Sequence, residues 1–111
     1  MFEISDSTTE LDMIDFGSNG KVLFQLPVLG QPGVPMGIVS AFGIFFDKFS
    51  QGRALSEPEV ASAWSFFIQT LADSFPDATR QLARLKEDQF SAVIKHWVQA
   101  SKTETGFDPK G

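Results

Sequence analysis

The chain has 111 residues, a length that suits one domain with one hydrophobic core, and its acidic N-terminus is not that of a secretory signal. Its formal net charge of -5, with no two Lys or Arg residues adjacent, disfavours nucleic acids and anionic membrane surfaces. The chain has no cysteine, which excludes disulfides, thiolate nucleophiles and zinc-thiolate sites. The N-terminus, the net charge and the lack of cysteine together predict a cytoplasmic protein.

A β-hairpin is predicted for residues 1–27. Residues 14–16 and 21–26 are rich in apolar residues and flank a turn that contains Asn19-Gly20, a pair that suits the positive φ values of a tight hairpin turn. Apolar and polar positions alternate in part of the second strand, which indicates one buried face. Pro27 ends this strand or places it at a sheet edge.

The next segment changes from a loop to a helix near Pro35. Residues 28–35 contain two glycines and two prolines, so we expect a connecting loop. Over residues 36–49 large apolar residues recur at helical spacing, which predicts a helix, although two glycines within it leave a buried strand as an alternative. The positions that define the apolar face are Ile38, Phe42, Phe45 and Phe49.

Two further helices are predicted between residues 56 and 86. Ser56 and Glu59 have the spacing of a capping box, in which each side chain bonds a free backbone amide of the first turn. Phe75-Pro76 should end this helix, and Asp77 is a suitable cap for a short helix that follows. The apolar stripe of the longer helix comprises Val60, Trp64, Phe67, Ile68 and Leu71.

The last helix is predicted over residues 87–101, with Phe90, Val93, Ile94 and Trp97 on its inner face. Trp64 and Trp97 lie on the inner stripes of different helices and should pack in one core. Residues 102–111 contain a single large apolar residue, Phe107, so we expect a flexible tail. The predicted fold class is therefore α+β: one domain over residues 1–101, with a hairpin followed by a bundle of about four helices.

No catalytic, metal-binding or cofactor-binding residue is predicted. His96 is the only histidine and has no partner at ligand spacing, so we assign it to the surface of the last helix. No Gly-x-Ser-x-Gly motif is present, and Ser40 lies in an apolar stretch without a nearby base. The acidic residues lack the dense oxygen pattern of a calcium loop. We therefore expect a protein that binds other proteins and is not an enzyme.

Three apolar residues are candidates for a partner-binding surface. At about 100° per residue, Ile44 projects away from the inner face of its helix, and Phe46 lies on the shoulder of that face. Phe66 likewise points away from the stripe of the following helix. Either a small bundle surrounds these helices and buries the three residues, or they form an apolar surface for a partner segment or a second subunit.

The last helix carries a short sequence motif. Gln89-Phe90 followed by Ile94, Trp97 and Ala100-Ser101 resembles the C-terminal signature of tail assembly chaperones in long-tailed phages of actinobacterial hosts, with looser similarity over residues 56–101. The resemblance implies a cytoplasmic factor that binds the tape measure protein and keeps its apolar helices soluble while tail tube protein subunits polymerise around it. It also implies that the factor is absent from the finished particle and has no catalytic residue, metal or cofactor.

The same resemblance implies a second, longer product. Such chaperones are commonly made in two lengths, the longer one after the ribosome slips back by one nucleotide near the end of the first reading frame. Asp108-Pro109-Lys110 can be encoded with the slippery sequence C CCA AAG, and a flexible tail there could link a second domain. The alternative is that the tail contains these residues by coincidence.

Two other functions fit the same length and charge. A head-tail connector or tail-completion protein would be a structural part of the virion and would be present there in a fixed ring stoichiometry. A small carrier would hold an apolar ligand in a Phe-lined, enclosed cavity with polar groups at its mouth.

Overall fold

The computed structural model describes residues 11–108 and shows an antiparallel β-hairpin followed by four helices, which confirms the α+β class and the helix over residues 36–49. The elements are β1 (Met13–Ser18), β2 (Lys21–Pro27), α1 (Met36–Phe49), α2 (Pro58–Ser74), α3 (Pro76–Ala83) and α4 (Glu87–Thr105). The predicted start of the hairpin in residues 1–10 and the end of the tail in residues 109–111 lie outside the described residues. Across the described part, no helix combines the length and apolar character needed to cross a membrane.

The hairpin turns at Asn19-Gly20, as predicted. Both residues have positive φ values, 55° and 77°, and Ser18 pairs with Lys21 across a two-residue connection. Positive φ at both central positions matches the natural twist of the two strands, which is why an Asn-Gly pair suits this turn. Pro27 is the last residue of β2, so its missing N–H does not interrupt the ladder.

A cluster of aromatic rings from three helices forms the centre of the core. The ring of Phe42 in α1 lies 4.9 Å from that of Trp97 in α4 and 5.6 Å from that of Phe67 in α2, and all three side chains are fully buried. Phe24 and Leu26 of β2 complete the core on the hairpin side. The predicted inner faces of the helices are therefore the ones that pack together.

The first two helices pack as an antiparallel pair. At one end, a Cβ added to Gly37 of α1 would lie 3.5 Å from the methyl carbon of Thr70 in α2. At the other end, Lys48 Nζ lies 3.6 Å from the carboxylate of Glu59. The two helices therefore lie side by side and share one outward-facing surface.

The predicted caps of α2 and α3 are wrong. Glu57 precedes the first residue of α2, Pro58, so Ser56 lies outside the helix, and α3 begins at Pro76, so Asp77 lies within its first turn. In both helices proline is the first helical residue, where its fixed φ is suitable and its missing N–H is not needed. The position of proline therefore determined where each helix starts.

The end of α4 also differs from the prediction. The helix runs to Thr105, one turn past the predicted end at Ser101, and Gly106 in the left-handed conformation (φ 74°) ends it. Phe107 then packs on the core, with its ring 6.1 Å from that of Phe42. The packed side of α4 continues through Ser101, which is buried, and Thr105, whose hydroxyl bonds Leu29. A hydrophobic pattern does not detect hydroxyl residues, so it predicts too early an end for the helix.

The two tryptophans contact the same core, as predicted, but they differ in burial. Trp97 is fully buried, whereas Trp64 is half-buried at the core edge. The ring of Trp64 lies 4.6 Å from that of Phe90 in an edge-to-face contact. Only the indole of Trp97 is therefore fully enclosed by the core.

Candidate functional site

The outward surface of the α1 and α2 pair carries exposed apolar side chains. Ile44 is 49% exposed and Phe66 is 50% exposed. Ile44 lines a shallow depression that includes Ser62, and Ser62 also lines the depression beside Phe66, so the two apolar side chains belong to one continuous surface. We call this surface the α1–α2 face and define it by Ile44, Ser62 and Phe66.

The α1–α2 face lies on two helices that are free of charge over about three turns each. Residues 36–46 of α1 and 60–72 of α2 contain no Asp, Glu, Lys or Arg, although these residues make up 21% of the chain. A helix on a protein surface normally carries charged residues on its outer side, whereas the centre of a protein interface is depleted of them. The composition of these two helix segments resembles that of an interface centre, and Lys48 and Glu59 lie at the edge, where they line the depression beside Ile44.

A cluster of ion pairs lies at the connection between α1 and α2. Arg53 contacts both Glu57 and Glu59, and Lys48 Nζ lies 3.6 Å from Glu59. The hydrogen bond from Arg53, together with the positive charges of Arg53 and Lys48, lowers the pKa of the Glu59 carboxyl. The carboxylates are exposed and the two cations are partly exposed, so solvent screens these pairs and they stabilise the fold only slightly. They lie at one end of the α1–α2 face, where Lys48 and Glu59 line the depression beside Ile44.

A second apolar surface lies between α1 and α4. It is an open groove of about 670 Å³, and its apolar lining comes from Phe46 and Phe49 of α1 and Ile94 of α4. Glu87 and Asp88, in the first turn of α4, line the groove as well. We call this surface the α1–α4 groove and define it by these five residues.

No protein-family model matches the chain, and neither a curated protein nor a solved structure shows significant similarity to it. The features of the chain that bear on its function are the two apolar surfaces and the motif in α4.

The structure separates the three predicted partner-binding residues. Ile44 and Phe66 are half exposed and share the α1–α2 face, so the predicted exposure of these two is confirmed. Phe46 is half-buried instead, stacks on Phe42 with 5.9 Å between ring centroids, and lines the α1–α4 groove. The three residues therefore belong to two different surfaces, and their role in binding stays a prediction.

His96 lies on the exposed surface of α4, as expected, where its ring makes an edge contact with Phe16 at 5.6 Å. Within residues 11–108, no group of His, Asp or Glu side chains is arranged to hold a metal ion.

The residues of the chaperone-like motif have structural positions in α4. The Oε1 atom of Gln89 accepts a hydrogen bond of 3.0 Å from the backbone N–H of Lys86, which caps the first turn. Phe90, Ile94 and Trp97 are buried in the core. The motif residues therefore determine how α4 begins and how it packs, and one of them, Ile94, also lines the α1–α4 groove.

The buried side of α4 also bonds the segment after β2, a link that hydrophobic spacing did not reveal. The Trp97 indole N–H donates to the carbonyl oxygen of Pro27 at 2.7 Å, and the Leu29 N–H donates to Ser101 Oγ at 2.9 Å. Thr105 Oγ1 donates to the carbonyl oxygen of Leu29 at 2.6 Å. The available sequence signal was the spacing of Trp97, Ser101 and Thr105, which places the two hydroxyls on the same side of the helix as the indole.

Proposed function

We propose that this protein is a tail assembly chaperone of a long-tailed phage, and that its α1–α2 face binds apolar helical segments of the tape measure protein while the tail tube assembles. The observation that carries the proposal is the α1–α2 face, where Ile44 and Phe66 are exposed and where the charged residues beside Ile44, Lys48 and Glu59, pair with each other. An apolar helix can dock on such a face without burying an unpaired charge, which would be costly.

The geometry of α1 and α2 suits a third helix. Two antiparallel neighbouring helices leave a groove between their ridges, and a partner helix packs into such a groove through its own side-chain ridges. Ser62, Ser65 and Gln69 border Phe66 and supply polar groups at the edge of the contact. With only two large apolar anchors, Ile44 and Phe66, the contact is small, which favours reversible binding over a permanent complex.

The motif in α4 supports the proposal through the fold and not through partner contacts. Its residues cap α4 at Gln89 and pack it through Phe90 and Trp97. The cytoplasm of the bacterial host is the location that the proposal requires.

The second candidate is a structural component of the virion, such as a head-tail connector or a tail-completion protein. The same observation favours it, because a face with Ile44 and Phe66 exposed also suits a subunit contact in a ring. Mass spectrometry of purified particles distinguishes the two functions: the chaperone is absent, and the connector is present in fixed stoichiometry. A carrier with an enclosed cavity is less well supported, since the α1–α4 groove is open to solvent.

The decisive experiment measures binding of peptides from the apolar helices of the tape measure protein encoded in the same genome. Isothermal titration calorimetry compares the wild-type chain with the double variant Ile44→Gln/Phe66→Gln. We expect affinity to fall about tenfold or more, because both anchors are lost. Far-UV circular dichroism should stay unchanged, since both side chains are half exposed.

The matched control is Val22→Thr/Leu23→Thr, which removes two exposed apolar side chains from β2 instead. This control should bind the peptides as the wild type does. Equal affinity of all three proteins would show that the α1–α2 face does not bind the tape measure protein.

The proposal includes a longer product made by ribosomal slippage. Phe107 packs on the core, so a second domain would be tethered after residue 108. The nucleotide sequence tests this part directly. A codon for Pro109 other than CCA or CCC, or the lack of an overlapping reading frame beyond it, would contradict it.

A further inference from the structure

The apolar part of the α1–α4 groove is accessible from solvent. Ile94 is fully buried at its base, and Phe46 and Phe49 are half-buried along one side. With a volume of about 670 Å³, the groove is large enough to hold a bulky side chain together with the adjacent backbone. A side chain that enters it removes the accessible parts of the two Phe rings from water, which is favourable.

The charges around the groove determine which kind of segment fits. Glu87 and Asp88 are exposed, and within residues 11–108 neither of them belongs to an ion pair. Arg53, which also lines the groove, is engaged by Glu57 and Glu59. The two carboxylates are therefore available to an incoming cation.

Lys95 is the other cation of the groove, and it lies about two helical turns beyond Glu87 along α4. The ion-pair cluster beside the groove is neutral, with Arg53 and Lys48 against Glu57 and Glu59. Glu87 and Asp88 against Lys95 then leave a negative local charge, of the same sign as the net charge of the whole chain, -5. An acidic segment, or a second copy of this acidic chain, would therefore be repelled at the Glu87 end, whereas Lys or Arg would be attracted.

Glu87 and Asp88 also stabilise the N-terminus of α4 through the helix dipole. The helix dipole explains why two acidic residues occur here even if no partner binds them. It does not explain why an apolar surface beside them is accessible. The combination of Phe46, Phe49 and two free carboxylates is what indicates a ligand.

We infer that the α1–α4 groove is a second binding site, for a partner segment that carries a large apolar side chain next to a lysine or arginine. The apolar side chain enters between Phe46, Phe49 and Ile94. The neighbouring cation contacts Glu87 and Asp88. This site lies apart from the α1–α2 face and does not depend on the proposed binding of the tape measure protein.

In the first experiment, peptides that bind are selected from a random library, separately on the wild-type protein and on two variants of α4. Ser91→Phe places a ring in the groove, and Gln99→Phe places the same ring at an exposed position outside it. Peptides retained by the wild type and by Gln99→Phe, but not by Ser91→Phe, are groove ligands. We expect them to combine Phe, Leu or Trp with an adjacent Lys or Arg, and circular dichroism checks that all three proteins are folded.

The second experiment uses one selected synthetic peptide and a version of it with Gln in place of the cation. The variant Glu87→Gln/Asp88→Asn should bind the cationic peptide about three- to tenfold more weakly than the wild type does, with a smaller difference at high salt. Its affinity for the Gln version should match that of the wild type. This variant changes only surface groups, so it keeps the test valid even if Ser91→Phe does not fold.

Three results would overturn the inference: no groove-dependent peptide, selected peptides that are acidic, or unchanged affinity in the Glu87→Gln/Asp88→Asn variant. A concentration-dependent dimer of the wild type that Ser91→Phe abolishes would also overturn it, because a second copy would then be the ligand. None of these results affects the α1–α2 face, since Ser91 does not belong to it.

Discussion

The indole N–H of Trp97 donates a buried hydrogen bond of 2.7 Å to the carbonyl oxygen of Pro27, across 70 positions of sequence. Pro27 is the last residue of β2, and Trp97 lies on the buried side of α4. A buried carbonyl oxygen without a hydrogen-bond donor costs free energy. The indole N–H is the donor for the Pro27 carbonyl, at the place where the hairpin meets α4. This bond therefore helps to hold the end of β2 against α4, together with the packing of Phe24 and Leu26 in the core.

Replacing Trp97 with Phe should lower the free energy of unfolding by about 2–4 kcal/mol, because ring volume is lost and the Pro27 carbonyl is left without its donor. Trp64→Phe should cost about 1 kcal/mol or less, since Trp64 is only half-buried. Urea denaturation followed by circular dichroism measures both. Equal losses would contradict the different burial of the two indoles.

The hydroxyl of Ser101 should matter more than its exposed neighbours on the same helix. Ser101→Ala leaves the buried N–H of Leu29 without an acceptor and should cost about 1–3 kcal/mol. Thr103→Ala is the matched control, because Thr103 is exposed and bonds only the carbonyl of Gln99 within the helix. Its effect should stay within about 0.5 kcal/mol in the same denaturation experiment. A neutral Ser101→Ala would show that the bond between Ser101 and Leu29 does not stabilise the fold.

Two glycines with positive φ report on the packing of the C-terminal segment. Gly52 has φ 80° and free space around an added Cβ, so Gly52→Ala should cost only the backbone strain of about 1–2 kcal/mol. Gly30 has φ 90°, and an added Cβ would lie 2.6 Å from Thr105 Oγ1 and 3.3 Å from Phe107 Cβ. Gly30→Ala should therefore lower the melting temperature further than Gly52→Ala does. The same decrease in both variants would mean that residues 105–107 do not pack against the loop.

Glu59 should contribute a small, pH-dependent stabilisation. Its folded pKa lies below the ordinary value of 4.5 because Arg53 donates a hydrogen bond to it, and because the charges of Arg53 and Lys48 favour the carboxylate. A carboxyl whose pKa is lower in the folded chain stabilises the fold above its unfolded pKa, and this contribution is lost as the pH falls through the folded pKa.

The Glu59→Gln variant should therefore be slightly less stable than the wild type at neutral pH, and the difference should narrow below a pH of about 4.5. Thermal melts across this range, at low and at high salt, measure the effect. High salt should reduce the difference, because the cluster is exposed to solvent. A difference that grows as the pH falls would contradict the assigned interactions.

Local features of the chain were predictable from the sequence because they depend on neighbouring residues alone. Asn19-Gly20 specified the hairpin turn, since few other pairs accept two positive φ values. Apolar spacing predicted α1 over residues 36–49 and the outward direction of Ile44 and Phe66. Periodicity determines which way each side chain points from its own helix axis.

The tertiary structure decided which neighbour covers each side chain. Phe46 faces α4 and not the surface that Ile44 shares with Phe66, a fact that depends on where the last helix docks. The extension of α4 to Thr105 likewise depends on Leu29, whose N–H and carbonyl groups pair with hydroxyls that the hydrophobic pattern omits. These outcomes come from contacts between residues far apart in the chain, and the spacing along a single helix does not contain that information.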